Sequence, residues 1–194
     1  RDVAIATFQI GSDDQIVQVN RENGFKWAPG KWRRNWHASS PKNNNNTDVN
    51  AVLLRYSDVL LMRAEAENEI NGPDAAIPWI NRVRERAFGN TSGNYTSAQF
   101  GGSKDLFFAK LKDERARELC FEPVGRRADL IRWNLLGNVL LATRDAISLH
   151  PNGDMPSFSY ATPAERFRPG VHEIYPIPSR EIRENRNLKQ NNGY

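Results

Sequence analysis

Apolar positions recur at spacings of three and four through the second quarter of the chain. Val52, Leu53, Tyr56, Val59, Leu60, Ala64 and Ala66 follow that period, which predicts a helix over 51–71. Leu54, Leu61 and Met62 add apolar surface on further faces, so the first half of this helix is expected to be deeply buried. Its second half, Glu65-Ala66-Glu67-Asn68-Glu69, is expected to turn polar and outward. Asn71-Gly72-Pro73 reads as a stop and a restart, because Gly suits the end of one helix and Pro the first turn of the next. Ala76, Ile80, Val83 and Ala87 then share one face, predicting a second helix over 73–88 with Trp79 at its edge. Pro78 lacks an N–H and is tolerable only in or just after the first turn. A link of two or three residues makes the pair an antiparallel hairpin, with Leu53, Tyr56, Leu60, Ala64, Ile80 and Val83 largely buried.

The hairpin resembles one tetratricopeptide unit, and a lone unit of that kind cannot bury both its faces. Beyond it, 89–103 is rich in Gly, Asn, Ser and Thr and reads as a loop. Ser103 can cap a third helix over about 104–121 through Leu106, Phe107, Leu111 and Leu119. A fourth is expected over about 126–147 through Leu130, Ile131, Trp133, Leu136, Val139, Leu140 and Ile147, with Gly137 as a point of bending or breakage. Residues 148–172 hold four prolines and read as a long ordered loop. Tyr175-Pro176-Ile177-Pro178 is expected to be extended, and Ser179 to cap a short helical turn. At the other end, Val3 to Phe8 and Gln15 to Asn20 are weak strands. The fold class is therefore mainly α, with long irregular loops and few short strands. The segments are 1–50 (irregular and loop-rich), 51–147 (helical core) and 148–194 (extended).

Composition adds limits. The chain has 194 residues, 39% of them hydrophobic and 26% charged, enough to bury a core and too apolar for a disordered tail. No window of about 18 apolar residues occurs, so no membrane-crossing helix is expected. The opening residues, Arg1-Asp2-Val3, carry no start methionine and suggest a piece of something longer. Lys and Arg number 27 against 23 Asp and Glu, a net charge of +4. The excess is spread among acidic and apolar neighbours rather than gathered into a basic stripe, so no nucleic-acid partner is expected. The single cysteine, Cys120, stands between Leu119 and Phe121 and is expected to be a buried, inert thiol. His37, His150 and His172 are far apart, and no Cys/His cluster has zinc spacing, so neither metal nor cofactor is expected.

The candidate chemistry is mostly structural. Glu65 and Glu69, and Glu118 and Glu122, stand four residues apart and share a helix face. Paired carboxylates invite a glycosidase reading, but two on adjacent turns of one helix cannot easily straddle a sugar. Arg63, Arg115 and Arg117 offer ion pairs instead. Arg127, Asp129 and Arg132 are expected to form a similar network, with Trp133 packed in the core. No phosphate loop, nucleophile elbow or His-Glu-x-x-His motif occurs. No catalytic residue is assigned.

Three segments together resemble the SusD/RagB family. The first is Leu54-Arg55-Tyr56-Ser57-Asp58-Val59-Leu60-Leu61-Met62-Arg63-Ala64-Glu65-Ala66, followed by Ile80-Asn81-Arg82-Val83-Arg84-Glu85-Arg86-Ala87. The second is Glu114-Arg115-Ala116-Arg117-Glu118-Leu119-Cys120-Phe121-Glu122, then Arg127-Ala128-Asp129-Leu130-Ile131-Arg132-Trp133. The third is Tyr175-Pro176-Ile177-Pro178-Ser179-Arg180-Glu181-Ile182, ending Asn187-Leu188-Lys189-Gln190-Asn191-Asn192-Gly193-Tyr194. The match covers about 50–194; Pro123 departs from the glycine common after Phe-Glu in the family. The resemblance implies SusD-like α–α packing and the C-terminal portion of a lipoprotein on the cell surface of a Gram-negative bacterium. The N-terminal half, signal peptide and lipid anchor to the outer membrane would lie outside this stretch. It further implies binding of an oligosaccharide or peptide, delivery to a SusC-like TonB-dependent transporter, and no catalysis. The alternatives are a helical-repeat module that binds protein and, more distantly, a polysaccharide-degrading enzyme.

The residues themselves suggest where a glycan would bind. Trp27, Trp32 and Trp36 fall within ten residues of a polar loop, beside Lys31, Arg33, Arg34 and Asn35. Flat rings can stack on sugar C–H faces while amide and guanidinium groups take the hydroxyls. Trp27, Trp32, Arg34, Asn35 and Trp36 are therefore candidate ligand residues, with Asn94 and Tyr95 in the 89–103 loop as a second group. The competing reading is that each tryptophan anchors its loop to the helices.

Overall fold

The computed structural model of the chain describes residues 5–6, 8–10, 16–18, 28–31, 50, 52–122, 125–148 and 161–194. The chain divides into two compact units, 1–126 and 127–194. The described residues are mainly helical, with a few very short strands, and none of their helices is long and apolar enough to cross a membrane. In the first unit β1 (Ile5–Ala6) pairs antiparallel with β4 (Ala28–Pro29), and β2 (Phe8–Ile10) with β3 (Ile16–Gln18). Strand is present within both expected stretches, at 5–6 and 8 in the first and at 16–18 in the second; 3–4, 7, 15 and 19–20 lie outside the described residues.

The hairpin is present as α1 (Tyr56–Asn71) and α2 (Pro73–Phe88). Gly72 between them has φ +88, and its N–H bonds the Asn68 carbonyl. This left-handed φ suits Gly because it carries no Cβ. Pro78 sits inside α2, which continues through it. A second left-handed glycine, Gly89 at φ +73, ends α2. After two 3-10 turns (Thr91–Gly93 and Ser97–Gln99), α3 (Lys104–Glu118) begins where Ser103 Oγ accepts from the Leu106 N–H, as expected.

The core lies where α1 meets α2 and α3. Leu60, Leu61 and Ala64 of α1, Ala76, Ile77, Ile80 and Val83 of α2, and Phe107 and Leu111 of α3 are buried together with Phe100. Phe100 and Phe107 meet edge to face at 5.2 Å, the arrangement that ring quadrupoles favour. Asn68, expected on the outward polar face, is instead fully buried, because its side-chain amide donates to the Lys104 carbonyl at 3.1 Å and so ties α1 to the start of α3.

Several expectations need correction. The helix starts at Tyr56 rather than 51, and Leu53 and Tyr56 are 71% and 61% exposed instead of buried. One face of α1 is buried against α2 and α3, while Tyr56, Val59, Met62 and Ile70 on the other remain exposed. Ala87 is also exposed, near the C-terminal end of α2. The third helix stops at Glu118, and Phe121 turns left-handed at φ +62. Cys120 is half-buried.

The expected fourth helix is two: α4 (Arg126–Arg132), which starts at the last residue of the first unit, and α5 (Leu136–Ser148). The break comes at Asn134, φ +56, not at Gly137. The Leu135 N–H bonds the Leu130 carbonyl and the Asn134 N–H bonds that of Ile131, the paired closure in which Asn can replace the usual glycine. Gly137 is needed for another reason: a Cβ there would lie 2.8 Å from the Phe167 ring. Much of 148–172 lies outside the described residues, but α6 (Thr162–Arg166) lies within it. The 175–178 stretch is extended as expected. Ser179 is the first residue of α7 (Ser179–Glu184) and makes no capping bond; Pro178 holds the cap position. Trp133 is half-buried under the Arg132 guanidinium, with Arg132 paired to Asp129, whereas Arg127 donates to the His172 carbonyl.

The last residues fold back on 171–177. Gln190 brackets the Ile177 main chain with two bonds, and Asn191 donates to the Tyr175 carbonyl at 2.7 Å. The Tyr194 hydroxyl donates to the Ile174 carbonyl at 2.8 Å.

Burial separates the two leucine positions sharply. Leu61→Ala is expected to cost about 2–5 kcal/mol, whereas Leu53→Ala should change stability by no more than about 0.5 kcal/mol. Urea midpoints of the two variants check this; equal midpoints would mean that α1 is not the centre of the core.

Candidate functional site

The tryptophan loop is reached through the residues beside it. Trp27, Trp32, Arg34, Asn35 and Trp36 lie outside the described residues, but 28–31 do not. Gly30 is buried, and Lys31 follows it, half-buried, immediately before Trp32. Lys31 Nζ donates to the Glu118 carbonyl and to the Glu122 carboxylate. The loop is therefore fastened, at a residue adjoining Trp32, to the C-terminal end of α3.

The fastening belongs to a larger cluster. Arg55, the residue before α1, sends its Nε to both Glu122 oxygens at 2.9 Å and one terminal nitrogen to the Glu118 carbonyl at 2.6 Å. Its other terminal nitrogen pairs with the Glu118 carboxylate, which also receives Arg86 from the end of α2. A helix C-terminus leaves carbonyls without donors and carries partial negative charge. Two carboxylates placed there would be repelled without cations, and Lys31 and Arg55 satisfy both the carbonyl and the charge. Burial works against the Arg55 charge, but hydrogen bonds to Glu122 and Glu118 outweigh it and raise the guanidinium further above its ordinary value. Burial likewise pushes the Glu122 carboxyl up, yet hydrogen bonds from Arg55 and Lys31 and their charges prevail and hold it below the usual carboxylate range.

Two further pairs stand beside this cluster. Asp58 in the first turn of α1 pairs with buried Arg115 at 2.9 Å. Arg84 of α2 pairs with buried Glu114 at 2.5 Å, and Arg117 reaches the same carboxylate at 3.2 Å. The ion-pair reading of the Glu118–Glu122 spacing is thus correct, with different partners: Lys31, Arg55 and Arg86 rather than Arg63, Arg115 and Arg117. Arg63 pairs with Glu67. The signal for Arg55 was present in its position, one residue before a helix and rich in donors, but nothing in the sequence placed that helix start against the end of α3.

The second candidate group is fully described. The Tyr95 main chain is held from both sides by the Asn81 amide, its N–H donating at 2.8 Å and its carbonyl accepting at 2.9 Å. The Arg84 guanidinium lies 4.0 Å from the Tyr95 ring centroid, and Phe100 meets the ring edge to face at 5.5 Å. Asn94 donates to Glu85 at 2.6 Å, while its own side-chain oxygen is shut off from solvent without a hydrogen-bond partner. Asn94 and Tyr95 are thus locked onto α2, half-buried. Gly93 just before them passes so close to Phe88 that a Cβ would sit 2.4 Å from the ring. Among the described residues no three His, Cys, Asp or Glu side chains gather as metal ligands.

Comparison with known proteins gives a consistent result. A family model described as the SusD family matches residues 8–194. SusD-like protein P25 of Formosa agariphila is 37% identical over 80% of this chain and 27% of its own length. The Starch-binding protein SusD of Bacteroides thetaiotaomicron is 28% identical over 100% of this chain and 31% of its own length. A crystal structure of a SusD homologue from Bacteroides thetaiotaomicron superposes with a TM-score of 0.80 at 30% identity, covering 100% of this chain and 40% of that one. The chain thus spans less than a third of the length of these two relatives.

The Glu122 cluster has a defined pH signature. A carboxyl held below its ordinary value contributes stability that is fully present above about pH 4.3 and is lost as pH falls through the lower folded value. Glu122→Gln should cost about 1–3 kcal/mol at pH 7. The gap to the parent should close as pH falls below that ordinary value. Denaturant melts at pH 7 and at pH 3 check this; a gap that persists unchanged at pH 3 would mean that the charge is not what Glu122 supplies.

Proposed function

The chain belongs to the SusD family, and on that premise we propose that it is the C-terminal part of a cell-surface protein that binds oligomeric nutrients, chiefly glycans. The full polypeptide would hand them to a SusC-like TonB-dependent transporter. It would be held at the outer membrane of a Gram-negative bacterium by a lipid anchor carried elsewhere in the polypeptide. Residues 1–194 are then one C-terminal SusD/RagB domain. The observation that carries this reading is the family match over 8–194, made together with a relative named for binding starch.

The site geometry supports binding rather than chemistry. Glu118 and Glu122 share the Arg55 guanidinium and crowd one helix end. Acid–base cleavage of a glycosidic bond needs two carboxyl groups on opposite sides of the sugar, with a gap between them for it. Purified full-length protein is therefore expected to release no reducing ends from polysaccharide. Time-dependent release that Glu118→Gln abolishes would overturn this.

We place the ligand against the tryptophan loop, with Trp27, Trp32 and Trp36 as stacking rings and Arg34 and Asn35 as hydroxyl partners. The anchorage of Lys31 supports this, because a fixed base spares a binding loop part of its ordering cost. Asn94 and Tyr95 would contribute from the second loop, where the Tyr95 ring is already held rigid by Arg84 and Phe100. The test is calorimetric titration of full-length protein with maltoheptaose, followed by a glycan array if that sugar is not taken. Trp27→Ala, Trp32→Ala or Trp36→Ala should each weaken binding by about 1–3 kcal/mol, the worth of one aromatic stacking partner. If affinity holds while the thermal midpoint falls, the tryptophans are loop anchors and the ligand binds elsewhere.

A further inference from the structure

Phe88, the last residue of α2, stands beside the second loop and is 54% exposed. One side of its ring is sealed by main chain. A Cβ on Gly93 would lie 2.4, 2.5 and 2.8 Å from ring atoms Cδ2, Cε2 and Cγ. Such similar approaches to consecutive ring atoms put the Gly93 backbone over the face of the ring, not its edge. Arg84, one turn earlier on α2, lies 5.3 Å from the ring centroid and donates from Nε to the Gly93 carbonyl. The same guanidinium is held by Glu114 and stacks on Tyr95 at 4.0 Å. The backing of Phe88 is thus rigid, and the exposure of the residue leaves the other side of the ring to solvent. Tyr95, by contrast, is packed against the core. Polar groups adjoin the ring. Glu85 lies three residues back on the same helix face. Its Oε1 accepts from the Asn94 amide at 2.6 Å, and a carboxylate has room for further donors. Exposed Asn90 follows two residues on, its Oδ1 fixed by the Ser92 N–H at 2.8 Å.

We propose that Phe88 is a sugar-stacking platform that extends the second loop's part of the glycan site, and that it takes a neutral sugar unit. The flat ring covers the C–H face of a pyranose while the neighbouring carboxylate and amide take its hydroxyls. Neutrality follows from the charges. An acidic sugar laid on the ring would meet Glu85, whereas Arg84 is already matched by Glu114 and Arg86 by Glu118. Because Gly93 and Arg84 hold the ring in place, stacking a sugar on it costs little further ordering. Position supports the assignment too. Arg86, two residues before Phe88, pairs with Glu118, whose carbonyl receives Lys31. Phe88 therefore stands at the end of the helical frame to which the base of the tryptophan loop is tied. The inference rests on the glycan-binding reading and adds to it a residue and a sugar class.

Isothermal titration of the full-length protein with a panel of neutral oligosaccharides (maltoheptaose, cellohexaose, xylohexaose and mannohexaose) tests it. Phe88→Leu keeps the apolar bulk and loses the flat ring. Its affinity for the sugar that the parent binds should fall about tenfold while the thermal midpoint holds. Phe88→Tyr keeps the flat ring and should bind like the parent. Affinity that is unchanged in Phe88→Leu, or lost in Phe88→Tyr, overturns the proposal. So does a loss that comes only with a lowered midpoint, which would make the ring an anchor for its loop. If Trp32→Ala weakens binding and Phe88→Leu does not, the tryptophan reading stands and Phe88 alone is struck. If the parent takes polygalacturonate and none of the neutral sugars, the proposal falls while glycan binding stands; if it takes neither, both fall.

Discussion

Two carboxylates at the end of α3 organise the first unit. Glu118 and Glu122 occupy a place where the helix itself already concentrates negative charge. That position is tolerable only because cations arrive from three other segments: Lys31 from beyond β4, Arg55 from the threshold of α1, and Arg86 from the end of α2. Each of those cations is paired by one or both of the same two side chains. The apolar core fixes how α1, α2 and α3 cross. The charged cluster brings a distant part of the chain onto that frame, ninety-one residues away in the case of Lys31 and Glu122.

The helical frame was legible because its signals are local. The three-and-four period of Leu60, Leu61 and Ala64 and of Ala76, Ile80 and Val83, the Asn71-Gly72-Pro73 break and the Ser103 cap each depend on neighbours a few residues apart. The errors arose where the outcome depends on what lies opposite. A pattern can give α1 two apolar faces but cannot say which one meets α2. Asn134 outdid Gly137 as the breaking point because an Asn can take the left-handed position that closes α4, whereas Gly137 was reserved for the approach of Phe167. Ser179 looked like a cap by composition, but the rigid Pro178 already occupied that position.

The candidate site divides along the same line. That Glu118 and Glu122 form ion pairs followed from the arginines near them in sequence, although Glu122 lies past the end of α3 and shares no helix face with Glu118. That Lys31 and Arg55 are the partners did not, because both contacts bridge more than sixty residues of chain. The Asn94–Tyr95 loop was singled out for its aromatic and amide groups. Its tight attachment through Asn81 and Arg84 is a tertiary fact with no trace in spacing. Family membership, by contrast, was visible from three separated segments, since their order along the chain needs no three-dimensional information.

Phe121 stands between the helix end and Glu122 with φ at +62, a region where a residue with a Cβ carries about 1–2 kcal/mol of unfavourable energy. That turn delivers the Glu122 carboxylate back to Lys31 and Arg55. The charged contacts and the backbone are thus loaded against each other, like a catch held under a spring. Conditions that screen the charges, such as high salt, weaken the catch and leave the backbone energy unchanged. High salt therefore acts first at the helix end, where the backbone cost is left uncompensated, and least on the apolar core, which holds no charges to screen.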